Sequence, residues 1–176
     1  DELNRRGYAA DIRPMEEKFY MNVNISDLYT DMFKFGVVSD THIGSVYQQM
    51  TYLHLAYDIF EKEDITFVVH GGDLVEGDGR QYRGQAGEMF LGGIDKKVKY
   101  TKDNYPKKPN METVIVGGSH DYIFLKNSGF DVLDNVCSDR EDLCNYGYFR
   151  ADLTINDYEI AVVHGIGGWT YARSYR

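Results

Sequence analysis

A short β-rich run from Phe33 to Val38 is followed by a helix-length segment and then by Ile65-Thr66-Phe67-Val68-Val69, which is apolar, β-branched or aromatic at nearly every position. A strand with no polar face has to be buried on both sides, the condition inside a parallel sheet covered by helices. Between the two runs, Val46, Met50, Leu53, Tyr57 and Phe60 recur at helical spacing, with Ser45 placed to cap the start and Glu61-Lys62-Glu63-Asp64 at the far end. Strand, helix, strand predicts a parallel crossover. Thr113 to Val116 predicts a third strand; Tyr148 to Ile155, an Asn156-Asp157 turn and Tyr158 to Val163 predict a hairpin. Between them, residues 76–110 hold scattered glycines, several lysines and two prolines, and predict a loop-rich insertion with one or two helices around Glu88 to Tyr100. Residues 1–31 are mixed and polar, with Pro14 as a breaker, and are expected to be a leader or the end of an upstream region; residues 32–176 are expected to form the domain.

Composition bounds what such a domain does. A chain of 176 residues with 43% hydrophobic content suffices for one core, and a formal net charge of −9 argues against a broad basic surface that holds nucleic acid by counterion release. No apolar stretch approaches the roughly 20 residues that cross a bilayer, so the expectation is a soluble, cytoplasmic protein without a membrane partner. Cys137 and Cys144 are too few for a disulfide framework and read as reduced structural thiols. Lys96, Lys97, Lys99, Lys102, Lys107 and Lys108 form a basic stretch, either a solvated face or a means of steering a phosphate backbone.

The chemistry sits where the apolar runs give out. Asp40-Thr41-His42, Gly72-Asp73 with Gly77 following, Gly118-Ser119-His120-Asp121 and Val163-His164-Gly165 each present Asp or His where a buried strand would emerge, the pattern of a metal centre built from neighbouring strand ends. Asp40 and His42 offer oxygen and nitrogen to one ion, although Asp and His also occur in turns for backbone reasons. Asp73 follows two glycines, which let the backbone turn sharply, and its two carboxylate oxygens can bridge two cations. His120 beside Asp121 suggests a general acid, an imidazole oriented by a neighbouring carboxylate. His54 and His70 read as core or supporting residues.

The order and context of the four patches resemble the calcineurin-like metallophosphoesterase superfamily from about Phe33 onward. The resemblance implies a layered α-β-β-α sandwich with mixed β-sheets. It also implies two divalent metal ions: Asp40 and His42 bind the first, Asp73 bridges, His164 binds the second, and His120 with Asp121 assists the leaving group. Mixed carboxylate and imidazole ligands suit Mn²⁺, with Fe or Zn²⁺ as alternatives, better than Mg²⁺ or Ca²⁺. The implied partner is a phosphoester substrate, DNA among the candidates. The closing stretch from His164 through Arg173 and Arg176 is similar to a phage and archaeal subgroup with DNA-repair exonucleases among its relatives.

Two departures follow from the same resemblance. Ser119 stands where the family has Asn as a ligand of the second metal, so affinity there is expected to fall, and no Gly-His-x-His patch follows His164, as if the chain were truncated. Two readings stay open from sequence: a metal-dependent phosphoester hydrolase acting on a phosphodiester or phosphomonoester, and a degenerate domain that keeps the fold as a binding or scaffolding module.

Overall fold

The structure, a computed structural model, describes residues 9–15, 18–24, 33–155 and 158–165. Two four-stranded sheets form its centre. The first is parallel throughout, in the order β3 (Gly36–Val38), β4 (Phe67–His70), β5 (Glu112–Gly117), β6 (Leu143–Tyr148). The second is mixed, in the order β1 (Ala9–Met15), β2 (Lys18–Asn24), β7 (Arg150–Ile155), β8 (Tyr158–Val163), with β2 and β7 parallel and the other pairs antiparallel. The helices are α1 (Met50–Lys62), α2 (Ile94–Asn104), α3 (Ser119–Ser128) and α4 (Val132–Cys137).

Side-chain alternation explains the layering. Phe67, Val69, Val114, Val116, Cys144 and Tyr146 point from the parallel sheet into a core shared with Ala151 and Leu153 of the second sheet. Their strand neighbours Val68, Ile115, Leu143 and Tyr148 point the other way, into a core with Leu53 and Tyr57 of α1, Phe124 of α3 and Val132, Leu133 and Val136 of α4. Each fully buried aliphatic or aromatic side chain contributes about 1.5–3 kcal/mol, so a strand apolar on both faces is held by both layers at once. Along β8 the outward residues Glu159, Ala161 and Val163 are exposed, and among the described residues no helix covers that face. No helix among them is long and apolar enough to cross a membrane.

Two expectations are corrected. The helix after the first strand begins at Met50 rather than near Ser45, because residues 43–46 pair with other loops: Ile43 bridges Val75, Ser45 bridges Met89, and Val46 N–H donates to Glu88 O. The expected strand from Tyr148 to Ile155 is two strands, since Phe149 at φ +70° carries the chain from β6 in one sheet to β7 in the other. Within the segment expected to be a leader or the end of an upstream region, Ala9–Met15 and Lys18–Asn24 form β1 and β2; Pro14 fits because β1 is an edge strand among the described residues, where a missing N–H does no harm.

Candidate metal centre

The loops that leave β3 and β4 stay paired beyond the strands. Asp40 N–H donates to Gly72 O (2.9 Å), His42 N–H to Asp73 O (3.0 Å), Ile43 N–H to Leu74 O (2.9 Å) and Glu76 N–H back to Ile43 O (2.9 Å). This zipper places the Asp40-His42 and Asp73-Glu76 segments side by side. Asp40, His42 and Asp73 all sit at positive φ, +52°, +41° and +51°, which turns their side chains out of the pleat toward one point. Non-glycine residues rarely take that conformation, and Asp and His are among those that tolerate it.

His164 arrives from the second sheet. Phe149 N–H donates to Gly117 O (2.7 Å) and Phe149 O accepts from His164 N–H (2.8 Å), so the crossover residue ties the end of β8 to the end of β5. Two glycines make the convergence possible. A Cβ on Gly72 would overlap His164 Nδ1, and one on Gly118 would overlap Asp73 Oδ1. No other residue type fits at either strand end without displacing a candidate ligand.

Asp73 is the hub. Its Oδ1 accepts the His120 N–H (2.8 Å) and lies 3.4 Å from His164 Nε2, while Oδ2 lies 3.8 Å from His42 Nε2, itself 4.0 Å from Asp40 Oδ1. Separations near 4 Å are too long for hydrogen bonds, yet two ligands each about 2.1 Å from one ion can stand up to about 4.2 Å apart. Two groups have ligand atoms all within 4.8 Å of one another: His42, Asp73 and His120, and Asp40, Asp73 and His164. Asp73 belongs to both. The grouping differs from the one the resemblance implies, since Asp40 joins His164 and His42 joins His120. Ser119 Oγ approaches Asp73 Oδ1 at 3.5 Å, the outer limit of a hydrogen bond.

Sequence reasoning missed Glu76. This nearly buried carboxylate stands between two imidazoles, with Oε1 2.9 Å from His120 Nδ1 and Oε2 3.2 Å from His42 Nδ1. The Gln85 amide (2.5 Å) and the Gly77 N–H (3.1 Å) also donate to Oε1. The contact to His42 Nδ1 is off the hydrogen-bond line and leaves that buried nitrogen without an aligned partner. The available signal was a lone acid inside Leu74-Val75-Glu76-Gly77, where a buried charge demands partners.

Asp121 does something other than expected. Its Oδ2 accepts from Gly118 N–H (2.9 Å) and Leu74 N–H (3.0 Å), and its Oδ1 from Val75 N–H (2.9 Å). The fully buried carboxylate therefore braces the loop after β4 against the first turn of α3, and the carboxylate at the His120 ring is Glu76. The reason is helical geometry: consecutive residues of α3 project about 100° apart, so His120 and Asp121 cannot face each other.

Charge is balanced within the cluster. Burial works to lower the His164 and His42 pKa values, but the facing carboxylates outweigh it: Asp73 lifts His164 to about 9, and Glu76, Asp73 and Asp40 raise His42. Burial works to raise Asp73 and Glu76, but His164 and the His120 N–H hold Asp73 below its ordinary range, and His120, His42 and Gln85 hold Glu76 well below its own. His164 Nδ1–H donates to Gly71 O (2.9 Å), which aims Nε2 at Asp73, the orientation a backbone carbonyl gives a metal-binding imidazole. The bridging-capable carboxylate, the aimed His164 imidazole and the 3.8–4.0 Å gaps from His42 Nε2 to Asp73 and Asp40 fit divalent ions that displace the Nε2 protons.

His70 and His54 support the fold. Fully buried His70 accepts the Gly72 N–H at Nδ1 (3.3 Å) and donates from Nε2 to Thr41 Oγ1 (3.0 Å). His54 meets Asn104 O at 3.0 Å. The lysine stretch is no open basic face: Lys97 is buried with Nζ on the carbonyls of Glu76 and Gly77, and Lys99, Lys102, Lys107 and Lys108 sit against Asp103, Asp139, Asp142 and the Asp58-Glu61 pair. Arg173 and Arg176, with the stretch after Gly165, lie outside the described residues.

A family model described as calcineurin-like phosphoesterase matches residues 33–173. Among solved structures, the crystal structure of the nuclease MPE from Pseudomonas putida is similar at 18% identity and a TM-score of 0.32, over 63% of this chain and 46% of that one, so the chain spans less than half of that protein. No curated protein matches.

Proposed function

From the premise that the chain belongs to the calcineurin-like phosphoesterase family, whose model covers most of it, we propose that Asp40, His42, Asp73, His120 and His164 hold two divalent ions that serve hydrolysis of a phosphodiester or phosphomonoester. The observation that carries the dinuclear reading is the Asp73 carboxylate, common to two compact ligand groups through its opposite oxygens. Ions bound there would supply a water ionised near neutral pH and a clamp on the phosphoryl oxygens. Mn²⁺, Fe or Zn²⁺ suits this donor set.

The chain's own residues do the rest. Glu76 orients the His120 ring through Nδ1 and so positions it as a ligand beside Asp73. Asp121 and His70 fix the loop that presents Asp73. Ser119 offers a hydroxyl at the position where the family has an amide, and weakens the site it adjoins.

The test is hydrolysis of bis(4-nitrophenyl) phosphate by the intact protein after chelation and reloading with single metals. Activity should vanish with chelator, return with Mn²⁺, Fe²⁺ or Zn²⁺, and fall about a thousandfold in Asp73→Ala, the rate equivalent of several kcal/mol of metal-clamped transition state. A protein that purifies without metal, unfolds identically with and without chelator and is inactive with every ion is a scaffold instead.

A further inference from the structure

One pocket, of about 470 Å³, opens directly from this centre. Its lining brings together Asp40, His42 and Glu76 with Glu88, Tyr47, Tyr52, Tyr82 and apolar side chains of α1. The size is that of a small-molecule site. Tyr47 and Tyr52 are each 68% exposed and Tyr82 45%, a concentration of bare aromatic surface that folding alone does not call for. Tyr82 is anchored, because its hydroxyl donates to Glu88 Oε2 (2.7 Å) and its ring centroid lies 6.4 Å from that of His120.

The lining holds no lysine or arginine. Nearby Arg80 is paired with Asp78 at 2.8 Å. Grooves that track a nucleic-acid strand combine stacking aromatics with a row of cations along the phosphates. Here the aromatics are present and the row is not. The pocket therefore suits a ligand whose only anionic group is the phosphoester at the metal end, with a flat aromatic group lying against the tyrosines.

We propose that this pocket selects the substrate and that the substrate is a mono- or dinucleotide phosphoester, its base stacked on Tyr47 and Tyr52 and its phosphate beside Asp40 and His42. The inference rests on the hydrolase reading above and narrows it from phosphoesters in general to short nucleotides.

Two esters with one leaving group separate the two ideas: thymidine 5′-(4-nitrophenyl) phosphate and methyl 4-nitrophenyl phosphate. The intact metal-loaded protein should favour the thymidine ester by about tenfold or more in kcat/KM, the effect of stacking one base. Tyr52→Ala and Tyr47→Ala should bring the ratio toward unity, chiefly through KM, and Tyr52→Phe should restore it. Hydrolysis of both esters with equal efficiency, or a preference that survives both alanine variants, overturns the pocket assignment and leaves the hydrolase intact. So does a preference of tenfold or more for a thymidylate decamer over the dinucleotide. If neither ester is cleaved with any metal, the hydrolase reading fails, and equilibrium dialysis of thymidine 5′-monophosphate decides the pocket. Binding that Tyr52→Ala weakens tenfold upholds it, and absent binding overturns it.

Discussion

Both ring nitrogens of His70 are committed to bracing the loop that carries Asp73, one to the Gly72 N–H and one to Thr41. Full burial lowers its pKa from 6.5 to about 3, so the native state refuses a proton that the unfolded chain accepts. The sign follows. A depressed imidazole contributes stability that is complete above the unfolded value and is lost as pH falls from 6.5 toward 3, at about 1.4 kcal/mol per pH unit. In the metal-free protein His42 and His164 act in the opposite sense, since their raised values favour the folded state at low pH. The diagnostic quantity is therefore a difference. Urea unfolding at pH 6 and pH 5 should show His70→Gln losing about 1 kcal/mol less than the unsubstituted protein over that unit. Parallel losses would mean that His70 is protonated in the fold.

At the level of elements, the centre is assembled from strand ends drawn together until no side chain separates them. Gly118, between β5 and α3, shows how little room is left: a Cβ there meets the backbone N of Asp73 as well as its carboxylate, and neither can retreat without moving the loop. Gly118→Ala should destabilise the fold by about 1–3 kcal/mol, as overpacking does, and abolish stoichiometric metal binding measured by calorimetry. Gly87→Ala, at a glycine with nothing within 4 Å, should stay within about 0.5 kcal/mol and bind normally. Strand ends of this kind are legible in a sequence because an unbroken apolar run followed by Gly and Asp fits little except a buried strand emerging into a turn; Ile65 to Val69 before Gly72-Asp73, and Thr113 to Val116 before Gly117-Gly118, are read from residue order alone. The partners of Glu76 are not, because His42 and His120 are 34 and 44 residues away, the first brought in by the loop zipper and the second by the start of α3. Helix α3 escapes for another reason. Tyr122-Ile123-Phe124-Leu125 is a continuous apolar block, which shows neither the helical nor the strand period. In α1, where the stripe from Met50 to Phe60 keeps its spacing, the helix is read correctly and only its start is displaced.

Across the whole molecule, the candidate ligands do not come from one layer. Asp40, Asp73 and His120 follow strands of the parallel sheet, whereas His164 follows β8 of the mixed sheet, reached only through the crossover at Phe149. Ions held by Asp73 and His164 together would tie the two sheets at the end where their strands emerge, and what binds the folded form alone stabilises it by mass action. At a free metal concentration 100 times Kd the gain is about 2.7 kcal/mol, which in a chain of this length raises Tm by about 5–11 °C. Scanning calorimetry in Mn²⁺ and in chelator should show that rise. His164→Ala should lose most of it, because the second group then keeps only Asp40 and Asp73 to hold its ion. A Tm indifferent to Mn²⁺ in the unsubstituted protein would remove the metal from the fold's energetics. A rise undiminished in His164→Ala would place the bound ion within the parallel sheet alone, held by His42, Asp73 and His120.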